Sequence, residues 1–224
     1  MAPRVGVVTF PGSNCEQDVI EAVDAAGGKG ELVWHGDMSL GDLDAVVLPG
    51  GFAHGDYLRP GAIARFSPIM AAVREMAAAG GPVVGICNGF QVLTESGLLP
   101  GALQKNAGLK FICAPVEIRV ETSRSALTGQ VEPGTVLRIP INHFEGNYTC
   151  DAETLAELRS EDRVVFRYVD NPNGSVEDIA GICSAGRNVV GLMPHPERAT
   201  HELLGSTDGV GLVRSLLARA GAPV

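Results

Sequence analysis

Residues 83–93 read VVGICNGFQVL. A cysteine, Cys87, stands between two apolar stretches, with Gly85 and Gly89 two positions away on either side. This is the G-x-nucleophile-x-G form of a nucleophile elbow at a strand-to-helix turn. The glycines have a steric reason. The nucleophile sits on a tight, strained turn, and bulky neighbours would collide with the strand and the helix that meet there. The following helix would aim its first N–H groups and its dipole at the sulfur, which favours thiolate. It would also leave the amide of Asn88 free to hold a developing oxyanion. Taken alone, the pattern is equally compatible with a structural turn.

A second constellation is MPHPER, residues 193–198. His195 precedes a proline, which pushes its backbone toward the extended region. In extended chain, residues two apart share a side, so His195 and Glu197 are expected to meet. An imidazole acting as a base needs an orienting partner, and a carboxylate can be one. The bland alternative is a polar loop at a strand end. A third piece, LPGGFAHGD (48–56), places Gly50 and Gly51 directly after a buried run. Glycine there allows close backbone approach and supplies a candidate second oxyanion donor, Gly51. Each constellation follows a strand, and open α/β sheets place their sites at the carboxyl ends of strands. The joint reading is a Cys87-His195-Glu197 triad, with no metal.

The elements that must position these residues are legible as strands alternating with helices. RVGVVTF (4–10), GELVWH (30–35), LDAVVLPGG (43–51) and PVVGIC (82–87) read as strands. CEQDVIEAVDAAGG, the stretch 61–81 with a break at Pro68, and NGFQVLTESG (88–97) read as helices ended by glycine. This predicts an α/β fold, a three-layer, mostly parallel open sheet with helices on both faces. From about 98 to 170 the pattern changes. FICAPVEIRVE (111–121) and TVLRIPIN (135–142) predict an antiparallel extension, and 179–195 a hairpin turning at 185–187. A final helix is expected from Asp208 to Ala220. With no linker visible, residues 1–224 read as a single domain.

Composition bounds the function. The chain has 224 residues, 45% of them hydrophobic, and a formal net charge of −9 with three lysines. A nucleic-acid or anionic-membrane partner is therefore not expected. No run approaches the roughly 20 apolar residues of a membrane span, and no signal peptide is evident, so a cytoplasmic protein is expected. No G-x-x-x-x-G-K-[ST] or G-x-G-x-x-G occurs, so an ATP site is not expected in this chain. Five cysteines at wide spacings, without Cys-x-x-Cys, argue against a disulfide framework or structural zinc. Cys113 and Cys183 lie in apolar runs and read as core residues. Cys15 reads as a simple helix N-terminal position with no base assigned to it. His35, His54 and His201 have no shared spacing that makes a metal site and read as scattered surface or capping residues. Asp56 and Arg59 read as solvated loop charges.

The long motifs FPGSNCEQD, LPGGFAHGDYLRPGAIARFS, GICNGFQVLTESGLLPGAL, NPNGSVEDIAGI and MPHPERA resemble the class I (triad) glutamine amidotransferases, over residues 4 to 219. The resemblance implies a flavodoxin-like fold and a glutaminase reaction. Cys87 would attack the side-chain amide of L-glutamine, and His195, oriented by Glu197, would protonate the departing ammonia. The amides of Gly51 and Asn88 would form the oxyanion hole. Gln91 would help bind glutamine, near His143 and Phe144. It further implies no cofactor in this chain. Ammonia would pass to a large synthase subunit carrying ATP and Mg2+, in a complex with a small third subunit, within purine nucleotide synthesis. The family usually has glycine where this chain has Phe144, which can serve there only if its φ is negative. Rival readings are the glutaminase of another synthase, a cysteine hydrolase on the same fold, and a catalytically silent subunit.

Overall fold

A computed structural model describes residues 1–221; residues 222–224, the end of the domain expected from the sequence, lie outside the described part. The strands are β1 (Arg4–Thr9), β2 (Lys29–Trp34), β3 (Ala45–Leu48), β4 (Val83–Ile86), β5 (Ala102–Gln104), β6 (Ile112–Val120), β7 (Val136–His143), β8 (Asn147–Thr149), β9 (Val164–Tyr168), β10 (Ile179–Cys183) and β11 (Val189–Leu192). The helices are α1 (Glu16–Ala25), α2 (Ile69–Ala78), α3 (Asn88–Glu95), α4 (Ala152–Ser160) and α5 (Val210–Ala220).

Nine strands form one sheet in the order β2-β1-β3-β4-β11-β10-β9-β6-β7, and β5 and β8 form a separate two-stranded ribbon. From β2 to β11 every pairing is parallel; from β11 to β7 every pairing is antiparallel. The expected parallel sheet with an antiparallel extension is therefore borne out. The residue types explain the division. β3, β4 and β11 (AVVL, VVGI, VVGL) are buried at every position, as parallel strands covered on both faces must be. β7 alternates buried and more exposed positions, as a one-sided antiparallel strand does.

Helices cover both faces of β4. Val84 and Ile86 share a small apolar void with Val19 and Val23 of α1 and with Val213 and Leu216 of α5. Gly85, between them, faces the other way: a Cβ on it would lie 2.6 Å from the backbone of Gly89 at the start of α3. Pro68 does break the 61–81 stretch. It separates a 3-10 turn (Ala64–Phe66) from α2, where it stands at the helix start and its missing N–H costs nothing.

Several expectations need correction. α4, β9 and the β5–β8 ribbon lie within a region read only as two strands. α4 is weakly amphipathic and depends on a cap, Asp151, whose side chain accepts the Thr154 N–H at 2.7 Å. Cys113 is exposed rather than core, because it falls on the outward phase of β6. Cys183 is buried as expected, and burial pushes its thiol up to about 11. No helix among the described residues is long and apolar enough to cross a membrane.

Candidate active site

Cys87 follows β4 directly and has φ 51°, ψ −106°. A non-glycine residue in this region is strained, as the elbow requires. The surrounding glycines are fixed by contact. A Cβ on Gly89 would sit 1.9 Å from the Leu48 carbonyl oxygen of β3, and one on Gly191 would sit 2.1 Å from the Phe90 ring. α3 can therefore press its first turn onto the sheet only because these side chains are absent. The Cys87 N–H donates to the Leu192 carbonyl at 2.8 Å, which ties the elbow to the end of β11. Ile86 and Leu192 are register partners on adjacent parallel strands. Elements a hundred residues apart in sequence thus end side by side.

From β11 the chain passes Met193 and Pro194 to His195, whose N–H donates to Pro140 of β7 at 2.9 Å. His195 Nδ1 lies 2.6 Å from Glu197 Oε1, with both side chains buried. The pairing was expected, but the link differs. Residues Pro196–Arg198 form a 3-10 turn, not extended chain, and this turn folds the carboxylate back to the Nδ1 edge of the ring. Burial alone would lower the proton affinity of His195; the charges of Glu197 and Cys87 outweigh it and hold the pKa well above the ordinary value. Cys87 Sγ makes its hydrogen bond to the Asn142 carbonyl at 3.6 Å, leaving His195 Nε2 buried without a partner.

The glycine loop after β3 completes the arrangement. Gly51 has φ 144°, and a Cβ there would lie 2.7 Å from Ser13 Cα. FPGSN is the buttress that makes this glycine necessary: Gly51 bridges Ser13, and the Phe52 N–H donates to Gly12 at 2.8 Å. The Asn88 side chain joins this loop to the elbow, accepting the Ala53 N–H at 3.0 Å and donating to Asp56 at 3.2 Å and Gln91 at 2.8 Å. The first amide of a helix has no carbonyl four residues back, so the Asn88 N–H is free, and the Gly51 N–H donates to nothing among the described residues.

Gln91 is buried and donates to the Glu145 carbonyl at 2.6 Å. The sequence-predicted residues Gln91, His143 and Phe144 are therefore brought together around one loop. Phe144 is absent from the residues of positive φ, so its backbone tolerates the side chain that replaces the family's glycine. A cavity of about 360 Å³ opens beside this loop, lined by Asp56, Arg59, Glu95, Lys105 and Glu145 among others. Asp56 is half-buried and not a solvated loop charge: desolvation, then the Glu145 carboxylate, push it up to about 6. Arg59 is held by Glu95 in a two-pronged pair at 2.6 and 2.7 Å.

Sequence reasoning missed three features. Cys15 is buried against His195 and Glu197: its sulfur, one His195 nitrogen and one Glu197 oxygen lie within 4.8 Å of one another, and Arg198 Nη2 donates to it at 3.2 Å. His35 and His54 are a pair, rings 5.1 Å apart and both bonded to Ser67 Oγ; His201 does cap, accepting the Leu203 N–H. Asn106 and Asn173 clamp the 143–146 loop. Asn106 Oδ1 accepts the Gly146 N–H at 3.1 Å, and Asn173 Nδ2 donates to the Gly146 carbonyl at 2.9 Å. The available signal was polar side chains in FPGSNC and NPNGS; Asn106 carried none.

Residues 2–208 match the model of the CobB/CobQ-like glutamine amidotransferase domain. The chain is 58% identical to phosphoribosylformylglycinamidine synthase subunit PurQ of Rubrobacter xylanophilus, over 97% of this chain and 99% of that one. It is 60% identical to the protein of the same name from Cereibacter sphaeroides, over 96% and 97%. Among solved structures, a chain of PurLQS from Thermotoga maritima superposes with a TM-score of 0.91 at 44% identity, covering 97% of this chain and 99% of that chain. A Thermotoga maritima glutamine amidotransferase shares the fold, with a TM-score of 0.65 at 16% identity.

Proposed function

The chain belongs to the CobB/CobQ-like glutamine amidotransferase family, and from that premise we propose that it is the glutaminase subunit of a phosphoribosylformylglycinamidine synthase, acting as a single domain. It hydrolyses L-glutamine and delivers ammonia to a large synthase subunit, in a complex with a small third subunit. The synthase uses ATP and Mg2+ to convert formylglycinamide ribonucleotide to the amidine in purine biosynthesis. This chain contributes no cofactor.

Cys87 Sγ adds to the side-chain amide carbon of glutamine, and the elbow's strained backbone presents the sulfur above the strand ends. The Gly51 and Asn88 amides receive the oxyanion. His195 holds its proton tightly because the Glu197 carboxylate is bonded to its Nδ1, and delivers the Nε2 proton to the amide nitrogen as ammonia leaves. Water then hydrolyses the thioester, with His195 as base. The side-chain end of glutamine lies along the first turn of α3, and its charged end reaches Gln91, His143, Phe144 and the cavity lined by Asp56, Arg59, Lys105 and Glu145.

The observation that carries this reading is the meeting of a strained Cys87 with a buried His195–Glu197 pair at the ends of adjacent parallel strands. In the complex reconstituted with its synthase subunits, Cys87→Ser is expected to abolish amidine synthesis from glutamine and to preserve synthesis from added ammonia. Loss of both would make Cys87 structural.

A further inference from the structure

Three residues of the long motifs take no part in the steps of glutamine hydrolysis: Cys15 and Asp18 of FPGSNCEQD, and Arg198 of MPHPER. The fold brings all three together. Cys15 immediately precedes α1 and Asp18 lies in its first turn, so the two share a helix face. Arg198, the last residue of the 196–198 turn, reaches across to that face. Its Nε donates to Asp18 Oδ2 at 2.8 Å and its Nη2 to Cys15 Sγ at 3.2 Å. The Cys15 thiol in turn donates to Asn14 Oδ1 at 3.2 Å. The sulfur is thus buried and bonded on two sides.

The backbone around Cys15 is tied elsewhere. The Asn14 and Cys15 N–H groups donate to the Gly50 carbonyl at 3.4 and 3.3 Å, and Ser13 bridges Gly51, the candidate oxyanion donor. Gly50 also marks where the imidazole lies, since a Cβ there would sit 2.7 Å from His195 Cε1 and 3.0 Å from Cys15 Sγ. Ring and sulfur therefore flank one glycine. Cys15 meets the His195–Glu197 pair through its side chain and the glycine loop through its backbone. Glu197 Oε2 is buried without a donor among the described residues. Burial would lower the proton affinity of Arg198; its bond to Asp18 and the neighbouring charges, Glu197 among them, outweigh it, so a fixed positive charge stands near that carboxylate. The Arg198 and Asp18 side chains are 31% and 40% exposed, and an ion pair so exposed contributes little to stability. Its effect is to aim the guanidinium at the sulfur.

We propose that Cys15, clamped by Arg198, is a positioning residue for glutamine hydrolysis: it holds the His195–Glu197 pair in register with the Gly50–Gly51 loop, so that proton donor and oxyanion donor act on one amide. The inference rests on the assignment of Cys87 as nucleophile and His195 as base. Cys15 touches no reacting atom in this role and acts through His195. A methyl in place of the thiol leaves space into which the ring can shift, and removing the guanidinium frees the sulfur. Serine keeps a donor for Asn14 and an acceptor for Arg198, with a smaller atom.

The test is steady-state kinetics of the complex reconstituted with its synthase subunits. Cys15→Ala and Arg198→Met are each expected to lower glutamine-dependent kcat by about tenfold to thirtyfold, a part of the roughly hundredfold that a 1 Å misplacement costs. Glutamine KM should change by less than about twofold. Cys15→Ser is expected to recover kcat to within about threefold of the parent. The double variant should be no more than about twofold worse than the poorer single variant, because both changes cut one link. Parent-like kcat in Cys15→Ala, no recovery in Cys15→Ser, losses that multiply in the double variant, or a loss carried by KM would each overturn the proposal. Should Cys15→Ala fail to fold, Arg198→Met decides: parent-like kcat overturns the proposal, and a loss confined to kcat upholds it. Cys87→Ala in the same assay must abolish glutamine turnover; if it does not, the assignment of Cys87 falls instead.

Discussion

Gly50 offers a sharp test of the active-site geometry, because it carries no functional group. Its φ is not positive, so alanine meets no backbone strain there, in contrast to Gly51. The added methyl would, however, lie 2.7 Å from His195 Cε1 and 3.0 Å from Cys15 Sγ. An ordinary contact begins at 3.4 Å, so the imidazole must retreat by about 0.7 Å unless the loop gives way. Retreat of the ring strains its 2.6 Å bond to Glu197, and Arg198 holds Cys15 in place beside it. A displacement near 1 Å at a reacting group costs roughly a hundredfold in rate. Gly50→Ala is therefore expected to lower glutamine-dependent kcat by about tenfold to a hundredfold and to leave ammonia-dependent synthesis intact. The overlap should destabilise the chain by only about 1–3 kcal/mol, so folded protein remains measurable. The assay is steady-state turnover of the reconstituted complex with glutamine and with ammonia. Unchanged glutamine turnover would refute the placement of His195 against this glycine.

Two further outcomes follow from the electrostatics. Glu197→Gln keeps a group beside His195 Nδ1 but removes the charge that outweighs burial; kcat should fall by at least about a hundredfold with glutamine KM little changed, and His195→Ala should fall further, whereas small and equal effects would place the base elsewhere. Asp56 has a folded pKa of about 6 against an ordinary 3.8, so the stability tied to its protonated form is complete below 3.8 and lost as pH rises through 6. Asp56→Asn should therefore match the parent in thermal stability near pH 4 and exceed it by about 1 kcal/mol, or 2–4 °C, at pH 7, after discounting for solvent screening at this half-buried site; no widening of the gap between those two pH values would contradict the assignment.

The parts of the candidate site and their local scaffold were legible in the chain because both are local. A cysteine between Gly85 and Gly89, and a histidine two residues from a carboxylate, are constraints on consecutive backbone. Periodicity marked the buried strands β1, β3 and β4, and glycines marked the ends of α1, α2 and α3. What periodicity could not supply is which segments lie together. Ile86 and Leu192 became neighbours through sheet order alone, and that adjacency is what sets Cys87 beside His195. Cys15 looked like a plain helix start, and only the docking of α1 against the 196–198 turn puts its sulfur against His195 and Glu197. Cys113 looked buried by composition, yet strand phase turned it outward. Asn106 and Asn173 drew no assignment from the sequence, and only their burial beside the 143–146 loop makes them its clamp. A side chain's type fixes which bonds it can form; only the meeting of distant backbone decides which partners and which solvent exposure it has.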